Sequence, residues 1–337
     1  MLQVPHHSCR IPTSPPHIAP VSSTIKRTLW SVMIPSYNCL PYLRQAMESV
    51  LAQDPGPEYM QIAVIDDCST DGDVSALVQA VGKNRIEYFQ QPSNQGSLRN
   101  FETCLNRAVG HWVHILHGDD RVVNGFYKEI ELLFTRYPEA GAAFTNTADI
   151  MGDDEQLAMK PPHALNAGIL PNFLFDIAQQ QMLVTPSIVV KRSVYEKLGG
   201  FYGFLYGEDW EMWARIAANF PIAYTPKCLA HYRFSTFGSL THFNLRNGRN
   251  VQDFIKLIEV IHSYLPQSRR KSIRKAAFRN YALYCGSIAH SLYAINPSAA
   301  FVQAKGALRL SQDIKVIYLV LKLYLKGVLR LKHGKEE

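Results

Sequence analysis

The stretch QIAVIDDCSTDGDVSALVQAVG (61–82) decides the fold. It opens on an apolar run rich in Ile and Val, as a buried strand does, and closes on a segment with apolar residues at helical spacing. Two adjacent carboxylates, Asp66 and Asp67, stand where the strand gives way to a turn. The pattern repeats in both directions. LWSVMIP (29–35) and YLRQAMESVLAQ (42–53) precede it as strand and helix. RIEYFQQ (85–91), SLRNFETCLNRAVG (97–110) and HWVHILHGDD (111–120) follow it as strand, helix and strand. Such alternation predicts an α/β protein with a parallel sheet. Ligands of these sheets bind beyond the carboxyl ends of the strands, where the polar residues of this chain collect.

The 337 residues are enough for one large domain, or for a domain of about 200 residues with an appendage. A hydrophobic share of 47% against 19% charged residues excludes global disorder. No apolar run reaches the roughly 18 residues of a membrane span. Six scattered cysteines with no C-x-x-C pair point to reduced thiols in a cytosolic protein, not to a disulfide framework or zinc site. Residues 1–28 are rich in Pro, Ser and His and read as a disordered leader without the apolar centre of a signal peptide. Residues 150–172 read as a surface loop. SIVVKRSVYEKLGGF (187–201) reads as a strand, a short helix and a glycine stop.

The net charge of +7 is unevenly spread: residues 245–337 carry 17 Lys/Arg against 5 Asp/Glu, and the rest of the chain 18 against 23. An acidic part can hold a metal and a basic part can meet an anionic surface. The composition shift places a boundary at 240/241, dividing the chain into leader (1–28), α/β domain (29–240) and basic helical region (241–337).

Three carboxylate pairs lie at the ends of predicted elements: Asp66-Asp67, Asp119-Asp120 and Glu208-Asp209. One pair alone reads as a turn or helix cap. Two of the three follow buried strands, however, and strand ends converge on one edge of the sheet. Adjacent acids in a cleft repel each other, and a divalent cation with a diphosphate relieves that repulsion.

The order of motifs resembles the family 2 glycosyltransferases, inverting enzymes of the GT-A fold that bind nucleotide-diphosphate sugars. VMIPSYN (32–38) resembles that family's opening strand and turn, and IDDCSTDGD (65–73) its D-D-x-S-x-D segment, with Asp73 where Thr is usual. NQGSLRNFETCLNRAVG (94–110) is similar to the N-x-G…RN…A-x-G helix, and ILHGDD (115–120) stands at the D-x-D metal motif. TPSIVVKRSVYEKLGGF (185–201) and GEDWEMWARIA (207–217) resemble the acceptor-side strand and the E-D helix. The resemblance covers about residues 29–240.

It implies that Pro35, Tyr37 and Asp67 line the nucleotide base and ribose, with Arg99 and Gly118 also on the donor side. Asp119, Asp120 and His117 would hold Mn²⁺ or Mg²⁺; His117 replaces the first acid of D-x-D and suits Mn²⁺ better than Mg²⁺. Asp209 would be the catalytic base and Glu208 its orienting neighbour. Blander readings stand beside these. Arg99 also fits an ion pair with Glu102 or Glu87, His117 a hydrogen-bonded strand end, and Glu208-Asp209 a helix cap. Trp210 and Trp213 suit either a sugar platform or the core, and Glu211 with Arg215 suits a surface ion pair. The family's Y-R-x-H places Ser235 at its histidine, leaving His231 or His242 for that contact.

Residues 313–333 set Lys315, Lys322, Lys326, Arg330 and His333 on one arc of a helix whose remaining faces are apolar. With the cluster RRKSIRKAAFR (269–279), this predicts binding to an anionic membrane surface, and hence a cytoplasmic protein peripheral to a membrane. The rival is a helix packed with its basic side in water. No stacking platform accompanies the charge, so nucleic acid is not an expected partner. The overall expectation is transfer of a sugar to a saccharide or lipid-linked acceptor. A binding protein without turnover is the alternative on the same fold. A nicotinamide oxidoreductase is disfavoured because the first turn, PSYNCLPY (35–42), has no glycine. A two-carboxylate glycosidase would not need the nucleotide motifs.

Overall fold

A computed structural model describes residues 10–150, 156–234 and 245–333, with side chains for all of these but 156–158 and 328–333. Its first half follows the predicted alternation: β1 (Trp30–Ser36), α1 (Leu40–Leu51), β2 (Met60–Asp66), α2 (Val74–Gly82), β3 (Glu87–Gln90), α3 (Ser97–Arg107) and β4 (Trp112–Ile115). These strands lie in the order β3-β2-β1-β4 and are mutually parallel. Val32 and Ile34 of β1 and Ile62 and Val64 of β2 pack with Leu43, Met47 and Val50 of α1 and with Val74 and Val78 of α2. Every residue of β1 is buried, which explains why it reads as a continuous apolar run.

The second half is mixed where a parallel sheet was expected. It contains β5 (Arg121–Val122), α4 (Phe126–Arg136), β6 (Ala142–Ile150), β7 (Gln156–Met159), β8 (Gly168–Ile169), α5 (Phe173–Ile177), β9 (Ile188–Lys191), α6 (Arg192–Leu198), α7 (Glu208–Asn219) and β10 (Ile222–Arg233). The sheet continues β4-β9-β6-β10-β5. Strand β9 runs antiparallel to both β4 and β6, whereas β6 and β10 are parallel. An antiparallel neighbour needs no crossover back to the far end of the sheet. The expected surface loop at 150–172 carries β7, paired with β6, and β8, paired with β10.

The expected disordered leader is a correction for residues 10–28; residues 1–9 lie outside the described residues. Ile18 is fully buried. The carbonyls of Pro12 and Pro16 accept the N–H groups of Gly203 (2.8 Å) and Gly200 (2.9 Å). Arg192 donates to Ala19 O at 2.8 Å, and Arg27 to Val109 O and Gly110 O at 3.0 and 2.8 Å. Proline denies the segment helical periodicity, so it looks unstructured locally, yet its carbonyls and one apolar side chain are used by the domain.

The chain divides into two units: residues up to 173 with 183–234, and 174–182 with 235–337. The division at 234/235 lies near the expected 240/241, but the short segment 174–182 belongs with the helices. The second unit holds α8 (Arg249–Ser263), α9 (Gln267–Leu292), α10 (Pro297–Leu310) and α11 (Ile314–His333). Tyr281 Oη accepts Gln181 N at 3.1 Å, and Asn280 Nδ2 donates to Gln179 O at 3.2 Å. Phe254 and Tyr281 meet with ring centroids 3.9 Å apart, and the buried amides of Asn250 and Gln303 donate to each other at 3.1 and 2.8 Å.

His114, in β4, is a structural histidine. Its Nε2 bonds to Pro186 O at 3.0 Å, which requires the proton on Nε2, so Nδ1 accepts from Tyr127 Oη at 3.2 Å. Burial lowers its pKa to about 4. The folded pKa lies below the unfolded value of about 6.5, so on acidification the unfolded chain takes up this proton first. The associated stability is whole above pH ~6.5 and drains as the pH falls toward 4, by about 3 kcal/mol in total. Denaturant unfolding between pH 7 and 4 should therefore show a loss in the wild type that is shallower by one proton in His114→Gln.

Candidate active site

Because β1, β2 and β4 are parallel, their carboxyl ends deliver Pro35 to Asn38, Asp66 to Thr70, and His117 to Asp120 to one edge of the sheet. Backbone bonds stitch the three turns together: Asp67 N donates to Ser36 O at 2.8 Å and Gly118 N to Pro35 O at 3.0 Å. Asn38, in the left-handed region at φ 49°, accepts Thr70 N on its side chain at 2.8 Å. Two acids of the IDDCSTDGD segment are caps. Asp71 accepts Leu40 N at the start of α1 (2.9 Å), and Asp73 accepts Ala76 N at the start of α2 (2.8 Å).

Asp66 and Asp67 are both buried and have different partners. Asp66 accepts from Ser69 N and Oγ, Tyr88 Oη and Gln90 Nε2. Asp67, expected on the nucleotide base, spends its two oxygens on Gln95 N (2.7 Å) and Gly96 N (2.8 Å), the loop that starts α3. Burial raises its pKa, opposed by those two N–H bonds and by the charge of Arg10. Tyr37 is half exposed at the same edge. Arg99 pairs with Glu102 at 2.6 Å, three residues along α3, as its blander reading held.

His117, Asp119 and Asp120 come together, each offering one ligand atom within 4.8 Å of the others. His117 Nδ1 lies 3.6 Å from Asp120 Oδ2, and the imidazole stacks on Phe101 at 5.4 Å with the planes 5° apart. His117 Nε2 and Asp120 Oδ2 are buried without a hydrogen-bond partner. Burial, reinforced by the Asp119 charge, pushes the Asp120 carboxyl well above the ordinary carboxylate range, against the pull of Arg233. Burial also lowers His117, although Asp119 works the other way. An orphaned carboxylate oxygen beside an imidazole and a second carboxylate fits a divalent cation, and the mixed nitrogen and oxygen set suits Mn²⁺.

Gly118 is needed for packing. A Cβ there would fall 2.7 Å from Cys39 Sγ and 3.3 Å from both Leu43 Cδ1 and Pro35 O. Burial and then the Asp119 charge push the Cys39 thiol up to about 12, away from the thiolate form.

Arg233 is the site residue that the sequence reading passed over. Its N–H donates to Asp120 Oδ1 and its Nε to Asp119 O, both at 2.8 Å, while Nη2 reaches Gln45 Oε1 at 2.7 Å. The family's Y-R-x-H draws attention to its missing histidine, but the arginine two residues earlier is what holds the acidic turn in place. His231 accepts from Arg121 Nε at 3.2 Å, across the β10–β5 pair. Ser235 and His242 lie outside the described residues.

Glu208 and Asp209 open α7 behind Gly207, and Asp209 Oδ1 accepts Trp210 N at 2.8 Å. Trp210 and Trp213 are core residues, not a sugar platform. From Trp213 a run of aromatic contacts passes through Phe201 (5.8 Å) and Phe101 (5.2 Å) to His117. Glu211 and Arg215, expected as a surface ion pair, are buried. Arg215 binds Glu211 through two bonds of 3.0 Å, Gly200 O at 2.8 Å, and Leu198 O. The pair locks α7 to the turn after α6.

Residues 31–199 match the family model described as glycosyl transferase family 2. The putative teichuronic acid biosynthesis glycosyltransferase TuaG of Bacillus subtilis is 31% identical over 114 residues, covering 33% of this chain and 44% of TuaG. The chain spans about a third of the length of the first curated relatives it matches. Among solved structures, S. aureus TarS 1-349 in complex with UDP-GlcNAc aligns with a TM-score of 0.61 at 14% identity, over 82% of this chain and 89% of that fragment. Mannosyltransferase PcManGT from Pyrobaculum calidifontis, in complex with GDP-Man and Mn²⁺, aligns with a TM-score of 0.53 at 17% identity, over 94% and 90%. These likenesses establish the expected GT-A fold.

The Gly118 contact can be tested by a double-mutant cycle. Gly118→Ala should lower the unfolding free energy by about 1–3 kcal/mol, and Cys39→Ala in the same chain should recover part of that loss.

Proposed function

The chain belongs to glycosyl transferase family 2, and we propose that it is an inverting transferase moving a sugar from a nucleotide-diphosphate donor to a saccharide or lipid-linked acceptor. Assembly of cell-surface polysaccharide or glycolipid is the setting, a reading that the likeness to TuaG supports. The observation that carries the proposal is the turn 117–120. Its orphaned Asp120 oxygen lies with Asp119 and the His117 imidazole at the carboxyl edge of the sheet, beside the loops assigned to the nucleotide.

In this reading the β2–β3 side of the edge, with Tyr37, Asp67 and the 94–96 loop, receives the nucleoside, and Arg99 and Gly118 border the phosphates. Asp119, Asp120 and His117 would hold a divalent cation, Mn²⁺ or Mg²⁺, which supplies charge neutralisation to the departing diphosphate. Asp209 takes the proton from the acceptor hydroxyl as that oxygen attacks the anomeric carbon from the face opposite the diphosphate, which inverts the configuration. Glu208 orients the base or the acceptor. Arg233 keeps the acidic turn from recoiling under its own charge.

One observation favours a second reading: His117 stands where the family's first acid would be, so the chain would hold nucleotide sugar without turning it over. Release of nucleotide diphosphate from a panel of UDP-, GDP- and dTDP-sugars with Mn²⁺ or Mg²⁺ separates the two. Transfer predicts metal-dependent release that falls by about 10²- to 10⁴-fold in Asp209→Ala and is lost in Asp119→Ala. Donor binding without release, acceptors included, would leave the binding-protein reading.

We also propose a cytoplasmic position peripheral to a membrane, through α11. No helix among the described residues is long and apolar enough to cross one. Val316, Val320 and Leu323 of α11 are buried within the helical unit. Ile314, Tyr318, Leu321 and Leu325 are 77%, 62%, 56% and 63% exposed, at the 4-3-4 spacing of a single stripe. Exposed Lys315, Lys322 and Lys326 flank that stripe, and no acid lies within α11. An apolar stripe edged by lysines is complementary to an anionic bilayer, whereas a second copy would set lysine against lysine. The side chains of Arg330 and His333 lie outside the described residues. Flotation with phosphatidylglycerol vesicles should recover the full chain, with less bound at high salt and little on phosphatidylcholine. Lys322→Glu with Lys326→Glu, or Leu321→Ser with Leu325→Ser, should release it while leaving donor hydrolysis intact. Equal binding by these variants would refute this surface.

A further inference from the structure

The segment that looked like a leader crosses the site. Within a few residues it bonds both sides of the catalytic edge. Arg10 Nη2 donates to Asn94 O at 2.8 Å, and Pro12 O accepts Gly203 N at 2.8 Å, in the turn that leads to Glu208 and Asp209. Farther along, Pro15 and Pro16 press on Gly199, whose φ of +79° and 2.7 Å approach to Pro15 leave no room for a Cβ. Buried Pro12 and Ile18 anchor the run. Arg10 is thereby held against the loop of Asn94 to Gly96, where a Cβ on Gly96 would stand 3.5 Å from its Nε.

The guanidinium is under-used where it lies. It has five N–H donors in a fixed fork. The Nε is buried with no partner. A buried charged donor without an acceptor is costly, so the arrangement is complete only when an acceptor arrives. The sheet order indicates which part of a ligand would bring it. Arg10 sits by the ends of β2 and β3, while the 117–120 turn follows β4, with β1 between. Neighbouring strands are about 4.8 Å apart, which puts the two places roughly 10 Å from each other, the reach from a nucleobase to its diphosphate. Its charge also lies close enough to Asp67 to oppose the effect of burial on that carboxyl.

We propose that Arg10 is a donor-binding residue, directing its fork at acceptor oxygens of the nucleoside half of the donor. It lies outside the family match, which begins at residue 31. The proposal rests on the nucleotide-sugar reading of this edge.

The test measures affinity by calorimetry, with Mn²⁺ present, for whichever of UDP, GDP and dTDP the wild type binds, for its nucleoside monophosphate, and for inorganic pyrophosphate. Arg10→Ala should weaken diphosphate and monophosphate alike by about ten- to a hundredfold, in keeping with a charge-assisted hydrogen bond. Pyrophosphate affinity should not change. Arg10→Lys keeps the charge without the fork and should fall between. Arg27→Ala breaks the same segment's bonds to Val109 and Gly110 away from this loop; it should lower Tm without changing nucleotide affinity. Donor KM should rise in Arg10→Ala with kcat little altered. Unchanged nucleotide affinity in Arg10→Ala, equal loss for pyrophosphate, or equal loss in Arg27→Ala would each overturn the proposal. A wild type that binds no nucleotide at all would instead sink the transferase reading beneath it.

Discussion

The structure depends on keeping like charges together at one edge of a sheet. Parallel strands all end on the same side, so β2 and β4 deliver Asp66, Asp67, Asp119 and Asp120 to a common edge along with the turn after β1. Left alone, such a cluster repels itself and resists burial. Three of these acids are stabilised, each differently. Asp66 is surrounded by side-chain and backbone donors, Asp67 takes two backbone N–H groups from the 94–96 loop, and Asp120 is held by Arg233 from the far end of β10. Of these acids, Asp120 keeps a buried oxygen without a hydrogen-bond partner. Capacity for a cation is concentrated there because the other acids are already satisfied.

Much of the remaining molecule serves to hold that edge still. The buried Glu211–Arg215 pair binds α7 to the turn after α6, and the aromatic run from Trp213 to His117 carries the packing across to the metal candidate. A buried ion pair is a poor source of net stability, but with all its donors engaged it specifies one arrangement of helix and turn. Gly118 contributes by absence: without a side chain, the acidic turn can lie against Cys39 and Leu43.

The segment from Arg10 to Thr28 and the last helix show opposite uses of unpromising sequence. The first has no periodicity yet is tied down by carbonyls and one isoleucine. The second is apolar around most of its circumference yet buries only part of it, leaving an exposed stripe beside a row of lysines. In each case the local pattern states what a segment is made of but not which neighbour will meet it.

By itself the sequence determined the alternation of strands and helices from residue 30 to 115, the family, and the positions of the candidate acids. These follow from periodicities of two and 3.6 and from short motifs, which are properties of contiguous residues. Even the reading of 187–201 as strand, helix and glycine stop matches β9, α6 and Gly199. Tertiary structure alone decided the antiparallel insertion of β9, the burial of Glu211 and Arg215, the order in residues 10–28, and the pairing of Arg233 with Asp120. These include contacts between residues 113 and 173 positions apart. A charged side chain has the same local signature whether it ends in water or against a buried partner, so its role is set only when the fold brings the partner to it.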